Sequence, residues 1–262
     1  MARFCPLFSS SSGNAIYLGA GEHGILIDAG ANSKQLHIAL EQIGVNAGSI
    51  GAIFITHEHS DHIMGLRVFA SKHNIPVYGS GGTLAALLDA GALNDKFPHE
   101  IMRDEVTIGD ICVRRFPTSH DSRESCGYTV NLGGRKAGIC TDTGVITDEI
   151  TAALSDCDLV MLESNYDENR LEYGPYPPQL KSRIRSGIGH LSNDVCAETV
   201  AGLLNAGVRR FVLGHLSPVN NTPALAFACT HSMLTRIGAV QNKDYALTVA
   251  EKVNNSDKYI VF

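Results

Sequence analysis

Apolar residues fall into two kinds of run along this chain. Short unbroken runs, such as Gly24-Ile25-Leu26-Ile27, Ala52-Ile53-Phe54-Ile55, Asp158 to Leu162 and Arg210-Phe211-Val212-Leu213-Gly214, read as buried strands. Other stretches carry helical spacing. Leu36, Ala39, Leu40 and Ile43 mark a helix opened by Ser33 and running to about Gln42. Leu84, Leu87 and Leu88 mark another, preceded by Ser80-Gly81-Gly82-Thr83 and stopped at Gly91. A helix after residue 62 is expected to run to about His73, and one capped by Ser192 or Asn193 to run to Ala206. Thr222-Pro223 opens a last helix to about Ile237.

Further strands are expected at 3–8, 15–19, 76–78, 245–249 and 259–262. Residues 99–117 read as two strands turning at Gly109-Asp110, and 127–132 with 135–140 as a hairpin across Gly133-Gly134. Residues 164–190, punctuated by Pro and Gly, read as irregular. The pattern partly repeats. Ile27-Asp28-Ala29-Gly30 and Cys140-Thr141-Asp142-Thr143-Gly144 each end an apolar strand in Asp-x-Gly before a helix. Two βαβ-rich halves packed sheet on sheet, with helices outside, would make a four-layer αβ/βα sandwich. No linker or low-complexity segment interrupts residues 1–262, so one α/β domain is expected.

Bulk composition narrows the setting. The 262 residues are 44% hydrophobic and 18% charged, as in ordinary globular proteins. No apolar run reaches the ~18 residues of a membrane span. The N-terminus lacks the marks of a signal peptide. Seven scattered cysteines do not suggest a disulfide framework, and Cys112, Cys126, Cys140 and Cys157 lie in or beside apolar segments. A cytoplasmic protein without a membrane partner is expected. The net charge of −6 does not advertise a nucleic-acid binder. Of the local basic groups, Lys181, Arg183 and Arg185 stand out, because Tyr173-Gly174-Pro175-Tyr176 precedes them and together they could face a polyanion.

The chemistry gathers at Thr56-His57-Glu58-His59-Ser60-Asp61-His62, directly after a buried strand. Alternation points His57 and His59 the same way, and Asp61 and His62 follow where a helix should begin. Imidazole and carboxylate without thiolate suit zinc or another first-row divalent ion. The spacing is tight for four groups on one ion, so two ions sharing the cluster is the better reading. Asp28 could orient a ligand imidazole or only cap its turn. His120, Asp142 and His215 each follow a predicted strand. Ser9 to Asn14 forms a turn that could aim backbone N–H groups at an anion or serve as a plain hairpin loop.

Taken in order, Asp28, the 57–62 cluster, His120, Asp142 and His215 resemble the five motifs of the metallo-β-lactamase superfamily, and the match spans the chain. Leu7 to Asn14, Glu163-Ser164-Asn165-Tyr166-Asp167 and Gly189-His190-Leu191-Ser192-Asn193 look like the YycJ/WalJ (VicX) group, similar to the branch of tRNase Z and the phosphonate-pathway cyclic phosphodiesterase. The resemblance implies that His57, His59 and His120 hold one ion, that Asp61, His62 and His215 hold the second, and that Asp142 and a hydroxide bridge them. The ions would be Zn²⁺ or Mn²⁺, with Fe²⁺ a further option. Asp28 would stand behind the ligands. Asp61 and His190 would be catalytic, with His190 contacting phosphate or protonating the leaving oxygen. Ser12, Asn14, Lys181, Arg183, Ser192 and Asn193 would touch substrate. The substrate would be DNA or another phosphodiester, attacked at phosphorus, with exonuclease action expected. The chain is too short for the β-CASP insert of related nucleases.

Charge supports an anionic substrate despite the acidic whole. Two divalent ions, two Asp and a hydroxide leave a core of about +1 with neutral imidazoles. A thioester or lactone hydrolase on the same fold would use the same ligands, with no obvious task for His190. A non-catalytic regulatory protein is the reading from another class. It sits poorly with seven filled ligand positions.

Overall fold

The computed structural model describes residues 1–21, 23–255 and 259–262. The first half of the chain contains β1 (Ala2–Ser10), β2 (Gly13–Ala20), β3 (His23–Ile27), α1 (Ser33–Gln42) and β4 (Ile50–Phe54). It continues with α2 (Ser60–Ile63), α3 (Leu66–His73), β5 (Val77–Gly79), α4 (Gly81–Asp89) and β6 (His99–Ile101). The second half contains β7 (Glu105–Ile108), β8 (Ile111–Pro117), β9 (Cys126–Leu132), β10 (Arg135–Cys140), α5 (Asp148–Leu154) and β11 (Leu159–Glu163). After these come α6 (Glu168–Tyr173), α7 (Pro178–Arg185), α8 (Asn193–Ala206), β12 (Arg210–Gly214), α9 (Pro223–Arg236) and β13 (Ala246–Val249). The short β14 (Ile260–Val261) returns to pair with β1.

Two sheets result, in the orders β14-β1-β2-β3-β4-β5-β6 and β13-β12-β11-β10-β9-β8-β7. Each has an antiparallel run leading into a parallel one: β1-β2-β3 then β4-β5-β6, and β8-β9-β10 then β11-β12-β13. The half-repeat seen in the sequence is therefore a repeat of topology, with β3 matching β10 and β4 matching β11.

Side-chain alternation builds four layers. Ile25 and Ile27 of β3, Phe54 of β4, Tyr128 and Val130 of β9, and Leu159 and Met161 of β11 fill the space between the sheets. The intervening Leu26 and Ile53 pack outward on Leu36, Leu40 and Phe69 of α1 and α3. Val160, Leu162, Phe211 and Leu213 pack outward on Ile150, Val200, Leu204 and Leu234 of α5, α8 and α9. Strands buried on both faces need apolar residues at every position, which is why these runs do not alternate in sequence. Tyr128 crosses the interlayer and donates its hydroxyl to Ile55 O at 2.6 Å, while Cys126 N donates to Thr56 O at 3.1 Å. The sheets are thus tied together immediately beneath the His cluster.

Three expectations change. Residues 99–117 hold three strands, because the chain leaves the first sheet after β6, buries Met102 and enters the second sheet at β7. The helix after the cluster is broken into α2 and α3 at Gly65, where a Cβ would lie 2.1 Å from Ala31 O. Residues 164–190 are not irregular. Asp167 caps α6 by accepting from Arg170 N at 2.9 Å, and Pro178 starts α7. Of the cysteines noted in sequence, Cys126, Cys140 and Cys157 are buried and Cys112 is half-buried, and none is in a disulfide. Among the described residues, no helix is long and apolar enough to cross a membrane.

Candidate metal centre and active site

The site lies at the C-terminal ends of β3, β4, β10, β11 and β12, where both sheets open at the same end. Three of its residues, Asp28, Asp142 and His215, end strands with φ of 63°, 57° and 53°. Left-handed backbone is uncommon outside glycine and costs roughly 1–3 kcal/mol at a strained position. Each lies one or two residues past a strand end, where the turn brings a buried polar side chain to the His–Asp cluster.

The first half supplies His57, His59, Asp61 and His62, and the second supplies His120, Asp142 and His215. Their potential ligand atoms form overlapping sets within 4.8 Å of one another: His57, His59 and His120; Asp61, His62 and His215; and His57, His62 and Asp142. His62 Nε2 lies 3.4 Å from Asp61 Oδ2 and 3.2 Å from Asp142 Oδ2. His215 Nε2 lies 3.6 Å from Asp61 Oδ2 and 3.4 Å from Asp142 Oδ1. Asp142 therefore stands between the groups, with His120 Nε2 3.8 Å from its Oδ1.

Buried polar atoms normally find partners. Here His57 Nε2, His215 Nε2 and Asp142 Oδ2 are buried without a hydrogen bond. His57 and His215 fall in separate ligand sets, each shared with Asp142 or His62, and nitrogen and oxygen donors of this kind fit divalent cations.

The remaining atoms of the ligands are held in place. Asp28 accepts from Thr56 N at 2.8 Å and Thr56 Oγ1 at 2.9 Å, and its Oδ2 lies 2.7 Å from His62 Nδ1. That contact directs His62 Nε2 at the centre. Of the two roles read for Asp28 in the sequence, the geometry is that of the imidazole orienter. Gly189 O stands 3.0 Å from His120 Nδ1 and serves it the same way. Burial alone would lower His62 and His215, but nearby carboxylates, Asp142 foremost, lift both, His215 to about 10. Burial would raise Asp61 and Asp142, but their histidine neighbours hold both below the usual carboxylate range. His57, buried and surrounded by other imidazoles, is pushed well below its ordinary value.

Glu163, at the end of β11, was not assigned a role from sequence. It is fully buried. Its Oε1 lies 2.7 Å from His190 Nδ1 and 2.8 Å from His215 Nδ1. Its Oε2 accepts from Leu191 N at 3.2 Å and Thr143 N at 3.3 Å. Asp142, Glu163, His190 and His215 also lie close enough to form a ligand set. Hydrogen-bond distances to two imidazoles and two amides already satisfy Glu163, so we read it as an orienter. The signal available in sequence was an apolar strand ending in a carboxylate, as at Asp28. His190, mostly buried, packs its ring 5.0 Å from His120 and 5.4 Å from His215. With Nδ1 on Glu163, its Nε2 is left for other work.

The expected substrate contacts divide. Asn14 is buried, its Nδ2 3.2 Å from Asp61 Oδ2 and 3.1 Å from His62 Nε2. It thus contacts two of the candidate ligands. Ser12 is exposed on the β1–β2 turn, its hydroxyl 2.8 Å from Ser10 Oγ. Ser192 spends its hydroxyl capping α8 at Val195 N (3.3 Å), and Asn193 is buried against Ser164 and Asn221. Lys181 Nζ donates to Glu172 O at 2.5 Å, away from the cluster. Arg183 pairs with Asp121, whose carboxylate borders His120.

A sandwich of two half-repeats with a His–Asp cluster between them defines a metal-dependent hydrolase of the metallo-β-lactamase fold. The chain belongs to this superfamily: residues 23–216 match the family described as beta-lactamase superfamily domain. Within it, the chain belongs to the YycJ/WalJ family. It is 34% identical over 257 residues to exodeoxyribonuclease YycJ of Bacillus anthracis, covering 97% of this chain and 95% of that protein. It is 33% identical to exodeoxyribonuclease WalJ of Streptococcus pneumoniae strain D39, covering 96% and 93%. Among solved structures, Zn²⁺-bound PqqB of Methylobacterium extorquens superposes with a TM-score of 0.77 at 17% identity, over 99% of this chain and 100% of that one. That last likeness concerns fold alone.

Proposed function

We propose that this chain is a dinuclear metal-dependent phosphodiesterase acting as a DNA exonuclease. Two relatives of matching length carry the name exodeoxyribonuclease. The observation that carries the chemical reading is the Glu163–His190 pair, 2.7 Å apart beside the ligand cluster. Phosphodiester cleavage needs a proton for the departing alkoxide, and thioester cleavage does not, since a thiolate leaves readily.

His57, His59 and His120 would hold one divalent ion and Asp61, His62 and His215 the other, shared through Asp142, with Zn²⁺ or Mn²⁺ favoured by nitrogen and oxygen donors and Fe²⁺ a further option. When bound, the ions supply an activated water and positive charge facing the phosphoryl oxygens. Asp61 stays ionised at neutral pH and is held by Asn14, so the attacking side keeps one geometry. Glu163 accepts Nδ1–H of His190 and fixes the ring with Nε2 free to face the leaving oxygen. His190 then gives its Nε2 proton to the leaving oxygen and returns to the neutral state.

The test compares wild type with His190→Ala, each with quantified Mn²⁺ or Zn²⁺, on single-stranded and duplex DNA and on a thioester. Metal-dependent DNA cleavage is expected, falling about 10²- to 10⁴-fold in the variant at unchanged metal content. Thioester turnover indifferent to His190, with DNA untouched, would overturn the proposal.

A further inference from the structure

On α7, Arg183 and Arg185 are paired with carboxylates. Lys181 donates to Glu172 O. Arg185 pairs with Glu168 at 3.2 Å and Glu172 at 2.8 Å, both on α6. These pairs lock one helix to the other. The Arg183 pair is different, because its partner belongs to the active-site loop.

Arg183 forks onto Asp121, Nη2 to Oδ1 at 2.8 Å and Nε to Oδ2. The same Asp121 Oδ1 lies 3.4 Å from His120 Nε2 and 4.0 Å from His59 Nε2. Asp121 N donates to Ile188 O at 3.1 Å, and Ile184 O, next to Arg183, accepts from His190 N at 2.9 Å. The pair thus reaches from the His190 side of the mouth to the His59 and His120 side. Arg183 is 44% exposed and Asp121 24%. An ion pair this open contributes little to stability. Ions bound at the His–Asp cluster would make that side cationic too, and an anion between it and the guanidinium is then favoured, the place Asp121 holds.

A carboxylate and a phosphodiester offer Arg the same two-oxygen edge. We propose that Arg183 is a clamp for a substrate phosphate and that Asp121 is its placeholder, occupying the fork until the phosphodiester displaces it. This deepens the phosphodiesterase reading and rests on it. The exchange favours anionic diesters over neutral thioesters or lactones, which have no charge with which to displace the carboxylate.

The experiment uses metal-loaded wild type, Arg183→Ala, Asp121→Asn and the double variant. It measures metal content, binding of a phosphorothioate single strand by fluorescence anisotropy, binding of inorganic phosphate by calorimetry, and kcat with KM. Arg183→Ala is expected to weaken strand and phosphate binding about tenfold or more, raising KM more than it lowers kcat. Asp121→Asn should tighten both several-fold, and this gain should vanish in the double variant. Loss of an ion in Asp121→Asn would make Asp121 a metal ligand and overturn the placeholder role. Binding of phosphate and DNA unchanged in both single variants would reduce the pair to a surface contact. Should the wild type cleave no DNA, the phosphodiesterase reading fails, and phosphate binding indifferent to Arg183 overturns the clamp separately.

Discussion

Glu163 joins two histidines of the site through one side chain. One carboxylate oxygen faces the Nδ1 atoms of both His190 and His215. Burial alone would raise its carboxyl pKa, but those imidazoles hold it below the ordinary value, so it stays an anion. A Gln there keeps an oxygen for the two rings but loses the charge, and its NH2 would face the Leu191 and Thr143 N–H donors that Oε2 now accepts from. Groups that orient metal-binding histidines typically account for about 10- to 100-fold in affinity or activity. Glu163→Gln is expected to lose kcat in that range and to weaken one metal site, while wild-type folding is retained by circular dichroism. Full activity with both ions bound would refute the shared role. In sequence, Glu163 opens a stretch that resembles the YycJ/WalJ group, but nothing local shows its task. Its partners lie 27 and 52 residues further along, and only folding brings them to it.

At the scale of elements, the backbone turns do the placing. The loop after β3 is packed between two others: Gly30 N donates to Asn14 O at 2.7 Å, Ala29 N to His62 O at 2.8 Å and Gly65 N to Ala29 O at 2.9 Å. A Cβ on Gly30 would lie 1.7 Å from Asp61 O and 2.7 Å from Asn14 N, both backbone atoms. Neither can step aside without moving the metal-site loop. Gly30→Ala should therefore cost about 1–3 kcal/mol, the usual range for overpacking, and lower metal affinity as well. Denaturant melts of the metal-free protein measure the first effect and metal titration the second. An alanine variant matching wild type in both would show that the loops slide. The Asp-x-Gly pattern was readable in sequence because its residue types are those of a tight strand-end turn. The break at Gly65 was not, since it depends on the approach of Ala31 O, and the two helices of 164–190 were hidden by the Pro and Gly around them although Asp167 and Pro178 are local start signals.

Across the whole molecule, the candidate ligands are divided between the halves. His57, His59, Asp61 and His62 follow β4, while His120, Asp142 and His215 follow β8, β10 and β12. Ions held there would cross-link the two sheets. At a free metal concentration of about 100 times Kd, one site adds roughly 2.7 kcal/mol to stability. For a chain of this size that corresponds to a Tm higher by several degrees. Calorimetry with and without chelator is expected to show the shift, growing with metal concentration. A Tm insensitive to chelation, with ions demonstrably removed, would mean that the halves are already locked without them. Tyr128 and Cys126 give the scaffold for this, since their bonds to Ile55 and Thr56 join the sheets beneath the cluster.

The sequence by itself determined the layers, because apolar runs of strand length and helical stripes are local signals of burial. It also determined the order of the candidate ligands, because closely spaced His and Asp after a buried strand have few other uses. Tertiary structure decided how those groups are supported. Asn14 stands behind Asp61, Glu163 between His190 and His215, and Asp121 between Arg183 and His120. It also decided which partners polar residues meet, as with Ser192 on its helix cap and Lys181 on a carbonyl. The physical reason is common to all of these. A donor or acceptor is defined by its residue type, but its work is set by the partner it meets, and these partners lie far apart along the chain.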